Sequence, residues 1–379
     1  MTNPSAVIYL DHAATTPVKP AALQAAWPWL TSEFGNPSST HEFGSRAAAA
    51  LEDARKKVAA FFGVRASEIT FTSGGTESDN LAIVGLALAN PRGKHIVSAR
   101  TEHEAVLASI DYLVRVHGFE VTWAELDEFG QVQNLADCLR PETTLVSLMT
   151  SNNETGTVHP IAELAKLTHE NGALFHTDAV QAVGWQELNV PKLGVDALSV
   201  SGHKFGAPKG SGVLVLRAGK HVEPLIHGGG QESGLRSGTE NVAWAVAIAT
   251  ALDELRETNA DLKAAAMMRD EFITEVLSTV PNAKLTGHPV NRQANIASFT
   301  LQGVSGEAVL LELERRGIIV SSGSACAAGS DEPSHVLVAL GIQAEVAQTA
   351  VRFSFAHDTT REDLHAAAKA LAEAVSVFI

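Results

Sequence analysis

The stretch that decides the fold runs Thr144-Leu145-Val146-Ser147-Leu148-Met149, then Ile161 to Asn171, then Leu174-Phe175-His176-Thr177-Asp178. Two short apolar runs bracket a segment of helical period, and Gly172 closes that helix. Outward from this strand–helix–strand unit the same alternation recurs. Ser45 to Phe62 predicts an amphipathic helix ended by Gly63, Glu68 to Thr72 a strand, and Ser78 to Leu88 a helix. His95 to Ser98 and Asp196 to Ser201 read as strands, and Ala105 to His117 as a helix. The pattern predicts an α/β fold with a mostly parallel sheet covered on both faces.

The texture changes after about Leu255. A charged helix (Leu262 to Val280) precedes a smaller set: strand Ile296 to Leu301, helix Gly306 to Arg316, strand Ile318 to Ser321, helix Ser334 to Leu340 and strand Ala350 to Phe355. Thr360 and Asp363 have the spacing of a capping box at the start of a last helix. A domain boundary is placed near Asp261.

The 379 residues suit two domains. Hydrophobic residues make up 45% and charged ones 19%, enough apolar material for a substantial core. Twenty-eight basic against 43 acidic residues give a net charge of −15, which argues against nucleic-acid binding. Two cysteines, Cys138 and Cys326, make neither a disulfide framework nor a cysteine-only zinc site and suit a reducing compartment. Met1 to Leu10 lacks the pattern of a signal peptide, and the longest apolar run, Val242 to Leu252, is far short of the ~20 residues that span a bilayer. The expectation is a cytoplasmic protein with no membrane partner.

In open α/β sheets ligands bind beyond the carboxyl ends of the strands. The run Ile69 to Thr72 leads into Ser73-Gly74-Gly75-Thr76-Glu77-Ser78 and then an apolar helix. Glycines permit close approach of an anion, and a helix N-terminus favours it. No lysine pattern of a P-loop follows, and alone the segment reads equally as a tight turn with an N-cap. The strand from Asp196 ends in Gly202-His203-Lys204-Phe205-Gly206. A partly desolvated amine there could form a Schiff base, although an isolated lysine reads more readily as a surface-loop residue. Asp178 tips another apolar strand. Pyridoxal phosphate needs an anion cradle, a lysine, a carboxylate on its ring nitrogen and a stacking group. His103, in Thr101-Glu102-His103, offers the last.

The chain resembles the class-V aminotransferase family and, within it, the cysteine desulfurases of the iron–sulfur-assembly kind. The resemblance rests on Leu10-Asp11-His12-Ala13-Ala14-Thr15-Thr16-Pro17, Phe34-Gly35-Asn36-Pro37-Ser38-Ser39, Thr72 to Asn80, Asn152-Asn153-Glu154-Thr155-Gly156, Ser201-Gly202-His203-Lys204, His227 to Glu232, Leu235-Arg236-Ser237-Gly238-Thr239 and Ser321 to Cys326. It implies fold type I of pyridoxal-phosphate enzymes, with a large domain over residues 16–261. The small α/β domain would be residues 1–15 and 262–379, which carry the cysteine loop. It also implies a homodimer with shared active sites.

By family position Lys204 is the cofactor lysine. Gly75, Thr76, Ser201 and His203 would hold the phosphate, with Thr239 donated by the other subunit. Asp178 would pair with the ring nitrogen, Asn153 and Gln181 would reach the phenolic oxygen side, and His103 would stack on the ring. Arg352 would clamp the substrate carboxylate, with Asn153 beside it. Ser233 departs from the basic residue that many relatives carry in that segment; this bears on local surface contacts.

Cys326 lies among small and polar residues, Ser321 to Pro333, a composition that predicts a poorly packed, mobile stretch suited to a nucleophile. A lone cysteine is otherwise usually buried and inert. Cys138, between Leu135 and Leu139, is assigned to packing. The fifteen histidines are scattered and form no H-E-x-x-H, so no metal is expected, although His176 and Asp178 share one strand face. The implied reaction takes sulfur from L-cysteine, with Lys204 moving the Cα proton and His103 as acid–base shuttle. Alanine leaves, and a persulfide remains on Cys326 for a sulfur acceptor such as an iron–sulfur scaffold protein. Selenocysteine lyase is the nearest alternative; a class-V transaminase and a non-catalytic scaffold are the others.

Overall fold

The computed structural model describes residues 7–90, 92–258, 261–323 and 332–379. Cys326 and its neighbours from 324 to 331 lie outside the described residues. The first described strand is β1 (Ile8–Tyr9). A seven-stranded sheet follows, built from β2 (Ile69–Thr72), β3 (His95–Ser98), β4 (Glu120–Trp123), β5 (Thr143–Ser147), β6 (Leu174–Asp178), β7 (Ala197–Ser201) and β8 (Gly212–Leu216). Their order in space is β2-β8-β7-β6-β5-β3-β4. All neighbours are parallel except β8, which runs antiparallel to both β2 and β7. The mostly parallel sheet therefore holds, with one reversed strand inside it.

The carboxyl ends of β2, β3, β5, β6 and β7 consequently open on one edge. The helix Gly75–Ala89 lies across the middle of the sheet, buried from Leu81 to Ala87. It is apolar nearly all round because strands flank one side and the helix Glu104–His117 the other. On another side, Val242–Thr258 packs against Pro20–Thr31 and Glu42–Phe62. The longest apolar run of the sequence is thus a core helix, and no described helix is long and apolar enough to cross a membrane.

Several elements depart from the sequence reading. Strands β4 and β8 and the helix Pro20–Thr31 were not foreseen, and Glu68 belongs to a short 3-10 turn rather than to β2. β4 is an edge strand that starts on an exposed Glu120, so it lacks a continuous apolar run. Pro28 inside Pro20–Thr31 reads as a breaker, yet the helix passes through it. The capping box at the last helix, Arg361–Ser376, forms as expected, with Thr360 and Asp363 bonding reciprocally.

The remaining strands are β9 (Ala283–Leu285), β10 (Ile296–Leu301), β11 (Ile318–Ile319) and β12 (Ala350–Ser354). An antiparallel sheet runs β12-β10-β9, and β1 pairs with β11. Leu10 belongs to the same buried apolar cluster as residues of this C-terminal part. That shared core supports grouping 1–15 with 262–379, the division proposed here. Phe272 is its hub, meeting Phe353, Phe355 and Phe299 edge-on at 5.0, 5.7 and 6.1 Å between ring centres. Truncating a buried phenylalanine removes transfer energy and leaves a cavity. Phe272→Ala is therefore expected to cost about 3–5 kcal/mol, seen as a lower unfolding midpoint. An unchanged midpoint would show that the ring cluster does not hold this part together.

Candidate active site

The polar residues at the strand ends converge on a cavity of about 410 Å³. Its wall includes Gly75, Thr76, His103, Asn153, Asp178, Gln181, Ser201, His203, Lys204 and Arg352. Ten positions expected from the sequence are thus brought together. Thr239 is not: it lines a second cavity with Phe71, Ser73 and Arg236. Among the described flanks of the Cys326 segment, Glu332, Pro333 and Ser334 belong to the first wall.

The anion cradle is built by exclusion of side chains. A Cβ on Gly75 would meet Val180 Cγ2 at 2.8 Å and Ser201 Cβ at 3.4 Å. Gly212 on β8 stands opposite both Thr72 and Ser201 in the ladders. A Cβ there would come within 2.6 Å of the Gly74 backbone. Glycine at 212 is thus what lets the turn before the helix settle against the sheet, a requirement that sequence inspection missed because its partner is far away in the chain. Helix N–H groups, the Thr76 and Ser201 hydroxyls and His203 surround the space, a donor set that suits a phosphate. Burial, with Lys204 and Lys209 nearby, lowers the His203 pKa to about 4, and its Nδ1 meets Thr15 Oγ1 at 3.1 Å.

Lys204 stands on the 3-10 turn Gly202–Lys204 directly after β7. Its Nζ donates to the carbonyls of Ala13 at 2.5 Å and Ala14 at 2.9 Å. Gln181 Nε2 donates to the same Ala13 carbonyl at 3.0 Å. The N-terminal segment therefore closes one side of the cavity. Asp178 ends β6, 7% exposed, and accepts the Val180 N–H at 2.8 Å. Burial raises its pKa, while His103 and Lys204 oppose that rise. A buried carboxylate whose ionisation burial opposes is suited to face a cationic ring nitrogen. With the cradle, the lysine and this carboxylate in one cavity, the residues fit pyridoxal phosphate.

His103 caps the helix Glu104–His117, and its Nδ1 accepts the Ala105 N–H at 3.1 Å. In the neutral ring the proton is then on Nε2, so His103 offers the site an N–H donor. Asn152 shapes the loop that presents Asn153: its Oδ1 accepts the N–H groups of Glu154 and Thr155, both at 2.9 Å. Arg352, on β12 and 1% exposed, donates to the Asn153 and Gly323 carbonyls at 2.9 Å and to Asp11 Oδ1 at 2.6 Å. Its Nε has no hydrogen-bond partner among the described residues. Buried Glu154 accepts from Ser334 Oγ at 2.5 Å. Gly323 and Ser334 flank the segment that carries Cys326, so both flanks are tied to this wall.

His176 does not face the cavity as a ligand. Its nitrogens meet Ser147 Oγ and Ser199 Oγ, both at 2.9 Å, which leaves neither for a metal. Cys138 ends the short helix Leu135–Cys138, half-buried against the main core, and burial raises its thiol pKa, in keeping with packing.

Gly212→Ala is expected to push the Gly74 turn off the sheet and to weaken cofactor binding at least about tenfold, some 1.4 kcal/mol. Absorbance titration of the apoprotein with pyridoxal phosphate measures this. Unaltered affinity would mean that the cradle does not depend on that contact.

The chain resembles known proteins over nearly its whole length. It is 46% identical over 362 residues to the cysteine desulfurase IscS of Dictyoglomus turgidum, covering 94% of this chain and 92% of that one. The cysteine desulfurase IscS of Methanosarcina thermophila is 45% identical over 364 residues, covering 94% and 89%. Among solved structures, a NifS-like protein superposes with a TM-score of 0.89 at 35% identity, covering 98% of this chain and all (100%) of that one. SspA in complex with cysteine gives 0.81 at 34% identity, covering 92% and 98%. Residues 8–366 match the aminotransferase class-V family. With that match, and with a cavity that suits the cofactor, the chain belongs to the class-V aminotransferase family of pyridoxal-phosphate enzymes.

Proposed function

We propose that this chain is a cysteine desulfurase that takes sulfur from L-cysteine, releases L-alanine and holds the sulfur as a persulfide on Cys326. The observation that carries this reading is one cavity containing the Lys204 amine, the Asp178 carboxylate and an anion cradle, with Glu332 to Ser334 after the Cys326 segment in its wall and Gly323 before it bonded to Arg352 of that wall.

Gly75, Thr76, Ser201 and His203 hold the phosphate. Thr239 lies away from Lys204 within one chain, which suits donation to the site of a second copy. Exposed Trp27 and Phe34 offer apolar surface for such a homodimer. Asp178 pairs with the ring nitrogen, Asn153 and Gln181 serve the phenolic oxygen side, and His103 stacks on the ring. When bound, pyridoxal phosphate supplies an electron sink for the charge left at Cα. Arg352 orients the substrate carboxylate, and its Nε–H has no hydrogen-bond partner among the described residues.

Lys204 takes the Cα proton as general base and returns it. Asp178, ionised, keeps the ring nitrogen protonated. The Cys326 thiolate attacks the substrate sulfur, so an S–S bond forms as the C–S bond breaks and its electron pair goes to carbon. His103 is the acid–base shuttle: it gives a proton from Nε2 in its imidazolium form, with a second proton on Nδ1 in place of the contact to the Ala105 N–H, and returns to the neutral ring when that contact re-forms. The persulfide then passes to a sulfur-acceptor protein, such as an iron–sulfur scaffold, in the cytoplasm.

Lys204→Ala is expected to abolish turnover and the borohydride-fixed cofactor adduct found by peptide mapping. Cys326→Ala should bind cofactor and cysteine yet release no sulfide. Desulfuration at the parent rate by the second variant would remove Cys326 from the mechanism, and a modified residue other than Lys204 would remove the lysine.

A further inference from the structure

Three carboxyl groups are buried near one another: Asp79 on the helix Gly75–Ala89 and Asp178 on β6, both in the cavity wall, and Glu102 after β3. They lie near enough for each of the first two to feel the charge of Asp178. Like charges in a buried cluster oppose one another's ionisation. The surroundings decide which carboxyl keeps its charge. Asp178 faces His103 and Lys204 and accepts a backbone N–H. Asp79 is 1% exposed and has an oxygen, Oδ1, with no hydrogen-bond partner. Its basic neighbour is His176, whose Nε2 is 3.7 Å away. That ring is already spent on Ser147 and Ser199, and burial lowers its pKa to about 3, so it stays neutral. Among the described residues Ser199 favours a charged Asp79, whereas Asp178 and Glu102 oppose it. Glu102 accepts one backbone N–H, from Met149, and its other oxygen also lacks a partner.

We propose that Asp79 is a positioning residue for the reaction: held as a neutral carboxylic acid between helix Gly75–Ala89 and strands β6 and β7, it leaves Asp178 as the ionised carboxylate facing the ring nitrogen. This rests on the cofactor-binding reading of the cavity. An ionised Asp79 would place a second negative charge beside Asp178 and hold Asp178's proton more tightly. It would then weaken the one interaction that keeps the ring nitrogen protonated.

The test compares the wild-type holoprotein with Asp79→Asn, a neutral isostere, and uses three readouts. In the infrared, the wild type should show the carbonyl stretch of a protonated carboxyl, shifting in D2O, and Asp79→Asn should lose one component of it. The pH titration of the bound cofactor's visible absorbance should move by no more than about half a pH unit. The third readout is stability against pH. An acid that holds its proton in the fold binds more protons folded than unfolded, so its contribution falls as pH rises above the ordinary aspartate value of about 3.9. The unfolding midpoint of Asp79→Asn should therefore gain on the wild type as pH increases.

A wild-type spectrum without a protonated-carboxyl band overturns the proposal, and does so without any variant. A larger shift of the absorbance titration, or a midpoint difference that moves the opposite way with pH, overturns it as well. A chain that takes up no pyridoxal phosphate would sink the functional reading, while the infrared band and the stability trend would still decide the state of Asp79.

Discussion

A carboxylate stays charged inside a protein only where cations or donors face it, and Asp178 is placed under that constraint. It is buried, it has one backbone donor, and the basic groups that favour its ionisation are Lys204 and His103. Each comes from the end of a different strand. The parallel strands β3, β6 and β7 must therefore finish at the same edge for the charge to be tolerated. The phosphate cradle at the end of β2 depends on the same alignment, with the added demand that β8 pass beside it without a side chain at Gly212.

The C-terminal part acts on this edge through cations that satisfy backbone carbonyls. Arg352 holds the carbonyl of Asn153, and Arg292 holds that of Thr155 at 2.6 Å. Arg269 in turn secures the carbonyls of Arg292 and Gln293. Gln293 reaches the Gln181 carbonyl at 2.5 Å. Burial and the nearby Arg269 lower the Arg292 pKa to about 9. Such buried cations are costly unless every donor finds an acceptor, so loops that supply carbonyls are held in one arrangement.

Much of this was legible locally. Lys204, Asp178, His103 and the Gly74-Gly75-Thr76 turn each sit within a few residues of a strand's end, and short apolar runs mark those ends. The antiparallel placement of β8 was not legible, because a short apolar run carries no sign of its direction or partners. Nor was the pairing of Arg352 with Asp11, which are 341 positions apart. The burial of Asp79 was not legible either, because an aspartate early in a helix ordinarily faces water.

The amino-acid order by itself determined the alternation of strands and helices, the chemistry available at the strand ends and the family to which they point. Tertiary structure alone decided which of those groups share a cavity, which glycine lets the turn settle against the sheet and which carboxyls are buried side by side. The reason is physical. Periodicity and turn chemistry act between neighbours in the chain, whereas desolvation and charge pairing act between neighbours in space.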